Sequence, residues 1–237
     1  MIKKCVAAFL LALVTVTAFA QQPPGVHPSY VSISLTTQPI DGEPFTSTIC
    51  GGVVVHEELR LIATAWHCVP NQQSVLASGL FSVGGKSSKL FMFSPESDIA
   101  LFQVTDLNGQ KAPPFRTPVK GDSVVASAYY DNYPVMASNP DRFVPPITIQ
   151  VTLDWSGKVV AVANANQQGG QSDKNTPTKF SQKFKWIVVA NDNGKGFSGG
   201  PIFDTQGNFI GLESHGNGNF SMVTASENIT SMIHSLK

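Results

Sequence analysis

The chain has 237 residues, 42% of them hydrophobic and 14% charged, with 16 basic residues balanced by 16 acidic ones. That length suits one large domain or two compact ones, and it can bury a substantial core. The even charge balance gives no ground for nucleic acid or an anionic membrane surface as partner.

The first twenty residues read as a targeting segment rather than as part of a fold. Lys3 and Lys4 precede an apolar run from Cys5 through Val16, and Ala18-Phe19-Ala20 has the small-x-small pattern of a cleavage site. The run falls short of the ~20 apolar residues that a membrane span needs, so a signal peptide over 1–20 is expected in preference to a retained anchor. Cleavage leaves Gln21 to Lys237, with Cys50 and Cys68 as its cysteines. Export to an oxidising compartment, secreted or periplasmic, makes a disulfide between them the natural reading. No second stretch of spanning length follows, so no membrane association is expected after processing.

Short strands then dominate. Tyr30-Val-Ser-Ile-Ser-Leu35 alternates apolar and polar residues, as do Ile147-Thr-Ile-Gln-Val-Thr-Leu153 and Asn208-Phe-Ile-Gly-Leu-Glu-Ser214. Ser123-Val-Val-Ala126, Lys158-Val-Val-Ala-Val162 and Trp186-Ile-Val-Val-Ala190 are β-branched runs bounded by Gly, Asp or Asn. The proline-rich Lys111-Ala-Pro-Pro-Phe-Arg-Thr-Pro118 is a candidate crossing linker between two halves. Asn164 to Lys183 is polar and reads as a long exposed loop, and Asp204-Thr-Gln-Gly-Asn208 as a hairpin turn. One helix closes the chain. Ile229, Met232, Ile233 and Leu236 form its apolar stripe, and Thr224 with Glu227 forms a capping-box pattern at its start. The pattern predicts an all-β sandwich or barrel with a C-terminal helix.

Three blocks carry chemistry. They are Thr48-Ile-Cys-Gly-Gly-Val-Val with Ile62-Ala-Thr-Ala-Trp-His-Cys68, then Ser97-Asp-Ile-Ala-Leu101, then Gly194-Lys-Gly-Phe-Ser-Gly-Gly-Pro201. Taken singly, His67 reads as a core histidine, Asp98 as a turn or cap residue and Ser198 as a turn residue. In this order and local setting they resemble the chymotrypsin/trypsin-like peptidase family. The compact bacterial branch, including the high-temperature-requirement proteases, is the nearer match.

That resemblance implies two six-stranded antiparallel β-barrels packed together with a C-terminal α-helix. The N-terminal barrel would span 21–113 with His67 and Asp98, the C-terminal barrel 114–225 with Ser198, and the helix 226–237. It implies a serine endopeptidase acting through an acyl-enzyme intermediate, and each part answers a chemical need. A serine hydroxyl is a weak nucleophile until a base takes its proton. An imidazole accepts and returns protons near neutral pH, and a buried carboxylate fixes its tautomer. The N–H groups of Gly196 and Ser198 would form the oxyanion hole. The resemblance also implies a Cys50–Cys68 disulfide and a strand, Ser214-His215-Gly216, that pairs with substrate backbone. Asp192 falls where relatives place an acidic residue at the base of the primary pocket, which would favour Lys or Arg in a peptide or protein substrate. The alternative for Asp192 is a polar turn.

Departures from the family are informative. Phe197 stands where animal enzymes carry the Asp that binds a new N-terminal amine, and Gly25-Val-His-Pro28 does not resemble their start. Activation by that route is therefore not expected. His215 replaces an aromatic residue. The five histidines are scattered without ligand spacing, so no metal and no cofactor are expected. No region after Gly216 suggests assembly, so a monomer is expected. A binding module that has lost its chemistry and an esterase are the competing readings.

Overall fold

The computed structural model describes residues 25–36, 46–70, 76, 78–135, 147–164, 184–191 and 196–235. The expected signal peptide, nearly all of the 164–183 loop, Asp192 and Leu236 lie outside the described residues.

Six strands build an N-terminal barrel-like sheet: β1 (Tyr30–Thr36), β2 (Thr46–His56), β3 (Leu61–Thr64), β4 (Phe81–Val83), β5 (Ser88–Ser94) and β6 (Ile99–Val104). All pairs are antiparallel, in the order β4-β1-β2-β3-β6-β5. Alternation does its expected work in β1: Val31 and Ile33 face this sheet's core, while Tyr30 faces the other way, into the second core.

Six more strands close into a barrel: β7 (Ser123–Val135), β8 (Ile147–Asn164), β9 (Lys185–Ala190), β10 (Pro201–Asp204), β11 (Phe209–Gly216) and β12 (Phe220–Ala225). Along β7, Val124, Ala126, Ala128 and Tyr130 point inward, and Val125 between them is exposed. The two strands expected at 147–153 and 158–162 are one. Asp154-Trp155-Ser156-Gly157 reads as a break in sequence, yet each residue pairs with β7. Gly157 is required there, because a Cβ would stand 2.6 Å from Val189 Cγ1 and 2.7 Å from the Ala190 carbonyl oxygen. β7 begins at Ser123, as the run predicts, since the Asp122 N–H turns back to the Val119 carbonyl just before it.

A shared apolar cluster joins the halves. Val53, Leu61, Ile99 and Leu101 meet Phe203, Phe209 and Leu212, and the helix α1 (Ser226–His234) covers them with Ile229, Met232 and Ile233. Burying Ile229 completely contributes about 2 kcal/mol. The expected capping box does not form. Thr224 is the penultimate residue of β12, and Glu227 instead binds Lys185 Nζ at 2.7 Å and Thr117 Oγ1 at 2.6 Å. Among the described residues no helix is long and apolar enough to cross a membrane.

The proline-rich segment crosses between the sheets and is clamped to the second. Phe209 N–H donates to the Pro114 carbonyl and Arg116 N–H to the Phe209 carbonyl. The Arg116 guanidinium bridges Asp204 at 2.7 Å and Asp122 at 2.6 Å. Burial alone would raise the Asp204 pKa. Donors from Asn208, Arg116 and the Gln206 N–H outweigh it and hold the carboxyl at about 2, below its ordinary 3.8. A depressed folded-state value means that the stabilisation is complete above about pH 4 and is lost as pH falls through about 2. In urea titrations, Asp204→Asn is therefore expected to be less stable than the parent at neutral pH, with the gap shrinking between pH 4 and pH 2. A constant gap would contradict this assignment.

Candidate active site

His67 lies in a 3-10 turn, Trp66–Cys68, that follows directly on β3. Fully buried Ala65 anchors the turn, whose Cys68 N–H returns to the Ala65 carbonyl. Cys50 of β2 and Cys68 are joined by a disulfide across Cα atoms 6.1 Å apart, so the turn is tied to its neighbouring strand on the far side of His67. The donor atoms of Cys50, His67 and Cys68 approach within 4.8 Å of one another. With both sulfurs in the disulfide no thiolate remains, and the group does not make a metal ligand set.

Asp98 ends a second 3-10 turn, Pro95–Ser97, in the left-handed conformation with φ 55° and ψ 47°. Asp tolerates that region better than most residues. The twist places its carboxylate, 0% exposed, against the histidine turn just before β6 begins. Oδ1 accepts from the His67 backbone N–H at 2.9 Å, and Oδ2 accepts from His67 Nδ1 at 2.7 Å. An ionised carboxylate only accepts, so the ring proton sits on Nδ1 and Nε2 is left as the basic nitrogen. The imidazole keeps 18% of its side chain exposed. A buried anion thus grips a partly open base.

Ser214 supplies a further donor. Its Oγ reaches Asp98 Oδ2 at 2.5 Å. In β11, Glu213 pairs with Val223 and His215 with Met222, so Ser214 is the extra residue of a bulge. The bulge turns its side chain towards the carboxylate. The sequence singled out Ser214 only as part of a substrate-pairing strand, and no local pattern announces the bulge.

The glycine-rich turn at 196–200 is pressed onto the same region. Gly51 N–H donates to the Ser198 carbonyl at 2.9 Å, and Gly199 N–H to the Glu213 carbonyl at 2.8 Å. Gly199 has φ 69°, and a Cβ there would stand 2.3 Å from Thr64 Oγ1 and 2.8 Å from the Gly51 carbonyl oxygen. Only glycine lets the two backbones meet this closely. Phe197 is buried in the second core alongside Val26 and Tyr30, and Ser198 is half-buried. The N–H groups of Gly196 and Ser198 donate to no acceptor among the described residues. His215 and Gly216 are half-buried at the end of β11.

One hydrogen-bonded circuit therefore connects the three blocks. Ser198 is held by Gly51, the neighbour of disulfide-bonded Cys50, and Gly199 by Glu213, the neighbour of Ser214. Ser214 binds Asp98, and Asp98 binds His67.

Residues 50–212 match a family described as the trypsin-like peptidase domain. The chain belongs to that family. It is accordingly a member of a family of proteases, hydrolases of peptide bonds. Solved structures show the same fold. The chain is similar to the HtrA-type protease AlgW with decapeptide, with a TM-score of 0.59 at 16% identity over 89% of this chain and 64% of that one. It thus spans a little under two thirds of that relative's length. The Rv3671c protease from M. tuberculosis, active form, gives a TM-score of 0.57 at 16% identity, covering 87% and 80%. The MamO protease domain from Magnetospirillum magneticum, apo form, gives 0.54 at 15% identity, covering 86% and 95%. No curated protein sequence matches the chain.

Proposed function

We propose that this trypsin-like peptidase is an exported serine endopeptidase with His67, Asp98 and Ser198 as its triad. The observation that carries the reading is the fully buried Asp98 carboxylate bound to Nδ1 of an imidazole that remains partly open. Burying an anion is costly unless it is paired and hydrogen-bonded, and three donors converge on this one. Such an investment suits a group that must keep Nε2 basic and steady the imidazolium once it forms.

In the proposed reaction, Nε2 takes the Ser198 Oγ proton as Oγ attacks the scissile carbonyl carbon. The tetrahedral oxyanion is received by the N–H groups of Gly196 and Ser198, a contribution of about 3 kcal/mol per donor. His67 then returns the proton to the leaving amine. Water repeats the sequence to release the acyl group, so the enzyme ends unchanged. Residues 214–216 would pair with the substrate backbone as an added strand, which favours a peptide over a simple ester.

The domain limits follow the same reading: barrels at 21–113 and 114–225, then the helix from 226. The Cys50–Cys68 bridge supports a secreted or periplasmic location. Burial of Phe197 in the second core leaves no carboxylate there for a new N-terminal amine, so removal of the signal peptide should leave a competent site. An unstructured protein should be cleaved by the mature chain, and cleavage should stop after treatment with a fluorophosphonate. Ester turnover with every protein substrate left intact would favour the esterase instead. A peptide library reports on Asp192: cleavage after Lys or Arg supports its place in the primary pocket, and cleavage after Glu opposes it.

A further inference from the structure

Tyr130 stands inside the second barrel, 3% exposed, in line with Val124, Ala126 and Ala128. Its neighbours pack, but its hydroxyl does something they cannot. It donates to the carbonyl of Gly196, 66 residues further along the chain. The register of β7 against β8 breaks directly after it: Tyr130 pairs with Val151 and Tyr133 with Ile149, so two residues of β7 stand against one of β8. A bulge of this kind re-aims a side chain relative to a regular strand. Gly196 lies on top of the phenol, with φ 105° and the position a Cβ would take 3.3 Å from Tyr130 Oη and 2.8 Å from Leu153 Cδ1.

The strand that carries Tyr130 is itself held by a side chain from the first sheet. Tyr30 of β1 donates its hydroxyl to the Tyr129 carbonyl at 3.2 Å, and its ring lies against Gly51. Burial pushes the Tyr30 phenol up to about 12, so it remains a protonated donor at any working pH. Gly51 in turn holds the Ser198 carbonyl.

We propose that Tyr130 is a positioning residue for the oxyanion turn, fixing the Gly196–Phe197 peptide so that the flanking N–H groups stay aimed at the reacting carbonyl. The proposal rests on the functional reading above. The Gly196 carbonyl and the Phe197 N–H belong to one planar peptide, so binding the oxygen sets the direction of the whole unit. Phe197 is locked in the core on one side, and the Ser198 carbonyl is bound on the other. The phenol closes the remaining freedom. Without it, rotation of this peptide would turn a carbonyl oxygen towards a developing negative charge. Preorganised donors work because they need no such rearrangement during reaction.

The test is Tyr130→Phe in the mature protein, with rates expressed per site titrated by a fluorophosphonate. The expected result is a fall in kcat of about tenfold to a hundredfold, less than complete loss of a donor, with KM within about twofold. Affinity for a peptide boronate, which mimics the tetrahedral state, should fall by the same factor. Affinity for a peptide whose scissile amide is reduced should not change. A second protein, carrying a fluorinated and therefore more acidic tyrosine at 130, covers the case in which the phenylalanine variant does not fold. Its kcat should equal or exceed that of the parent, and a phenylalanine-like loss would overturn the proposal. A lower melting temperature with kcat per site and boronate affinity intact would make Tyr130 merely structural and also overturn it. A parent protein inert to the fluorophosphonate would instead overturn the functional reading, and this one with it.

Discussion

Replacing Ser198 by alanine is expected to lower kcat for peptide hydrolysis about a millionfold while leaving the fold unchanged. The size of the effect follows from how the parts act. Nucleophile, base and carboxylate work as a unit, so loss of the nucleophile removes nearly all that the unit supplies, and the oxyanion donors alone retain about a thousandfold advantage over water. Stability should be spared because Ser198 is tied into the protein through its backbone carbonyl, which accepts from Gly51 N–H. Alanine keeps that carbonyl. Steady-state kinetics and a thermal melt on the same preparation check both halves. A variant that hydrolyses peptides within tenfold of the parent would remove Ser198 from the mechanism.

Asp98→Asn should cost about four orders of magnitude in kcat with little change in KM. The carboxylate accepts from His67 N–H, His67 Nδ1 and Ser214 Oγ. An asparagine amide can keep an acceptor for some of these, but its NH2 group donates. If it faces the imidazole, Nδ1 must accept and the ring proton moves to Nε2, where it meets the nucleophile instead of receiving its proton. The histidine is then in place and in the wrong tautomer. Proton NMR of the imidazole distinguishes this from misfolding: the parent should show a low-field Nδ1–H resonance that the variant lacks, with the remaining spectrum preserved. Retention of full kcat would mean that Asp98 serves only as the end of its turn.

Asp98 shows how local and distant roles combine. A turn or cap role before an apolar run was legible in the sequence, and the structure has that role: the residue terminates the 3-10 turn and directly precedes β6. Its meeting with His67 was reached through resemblance, since no local pattern encodes a contact between residues 31 apart. β1 and β11 were legible through alternation and β7 through its β-branched run, although β11 buries both of its faces, with Ile210 in the second core and Phe209 and Leu212 in the shared cluster. The stripe of α1 was legible through its helical spacing, with Ile229, Met232 and Ile233 all buried.

Where the reading went astray, tertiary pairing had overridden local chemistry. Asp154 to Gly157 has turn composition, but β7 lies alongside and supplies partners for every residue. Thr224 and Glu227 have capping spacing, but β12 and Lys185 claim them first. The bulge that turns Ser214 to Asp98 and the phenol that reaches Gly196 have no local signature at all. Both depend on where two paired strands slip by one residue.

Treating the mature protein with a fluorophosphonate and locating the adduct by mass spectrometry decides whether Ser198 is the nucleophile. One adduct is expected, on Ser198, and it should be lost when His67 is replaced by alanine. An adduct on any other residue, or none on the folded protein, would contradict that role.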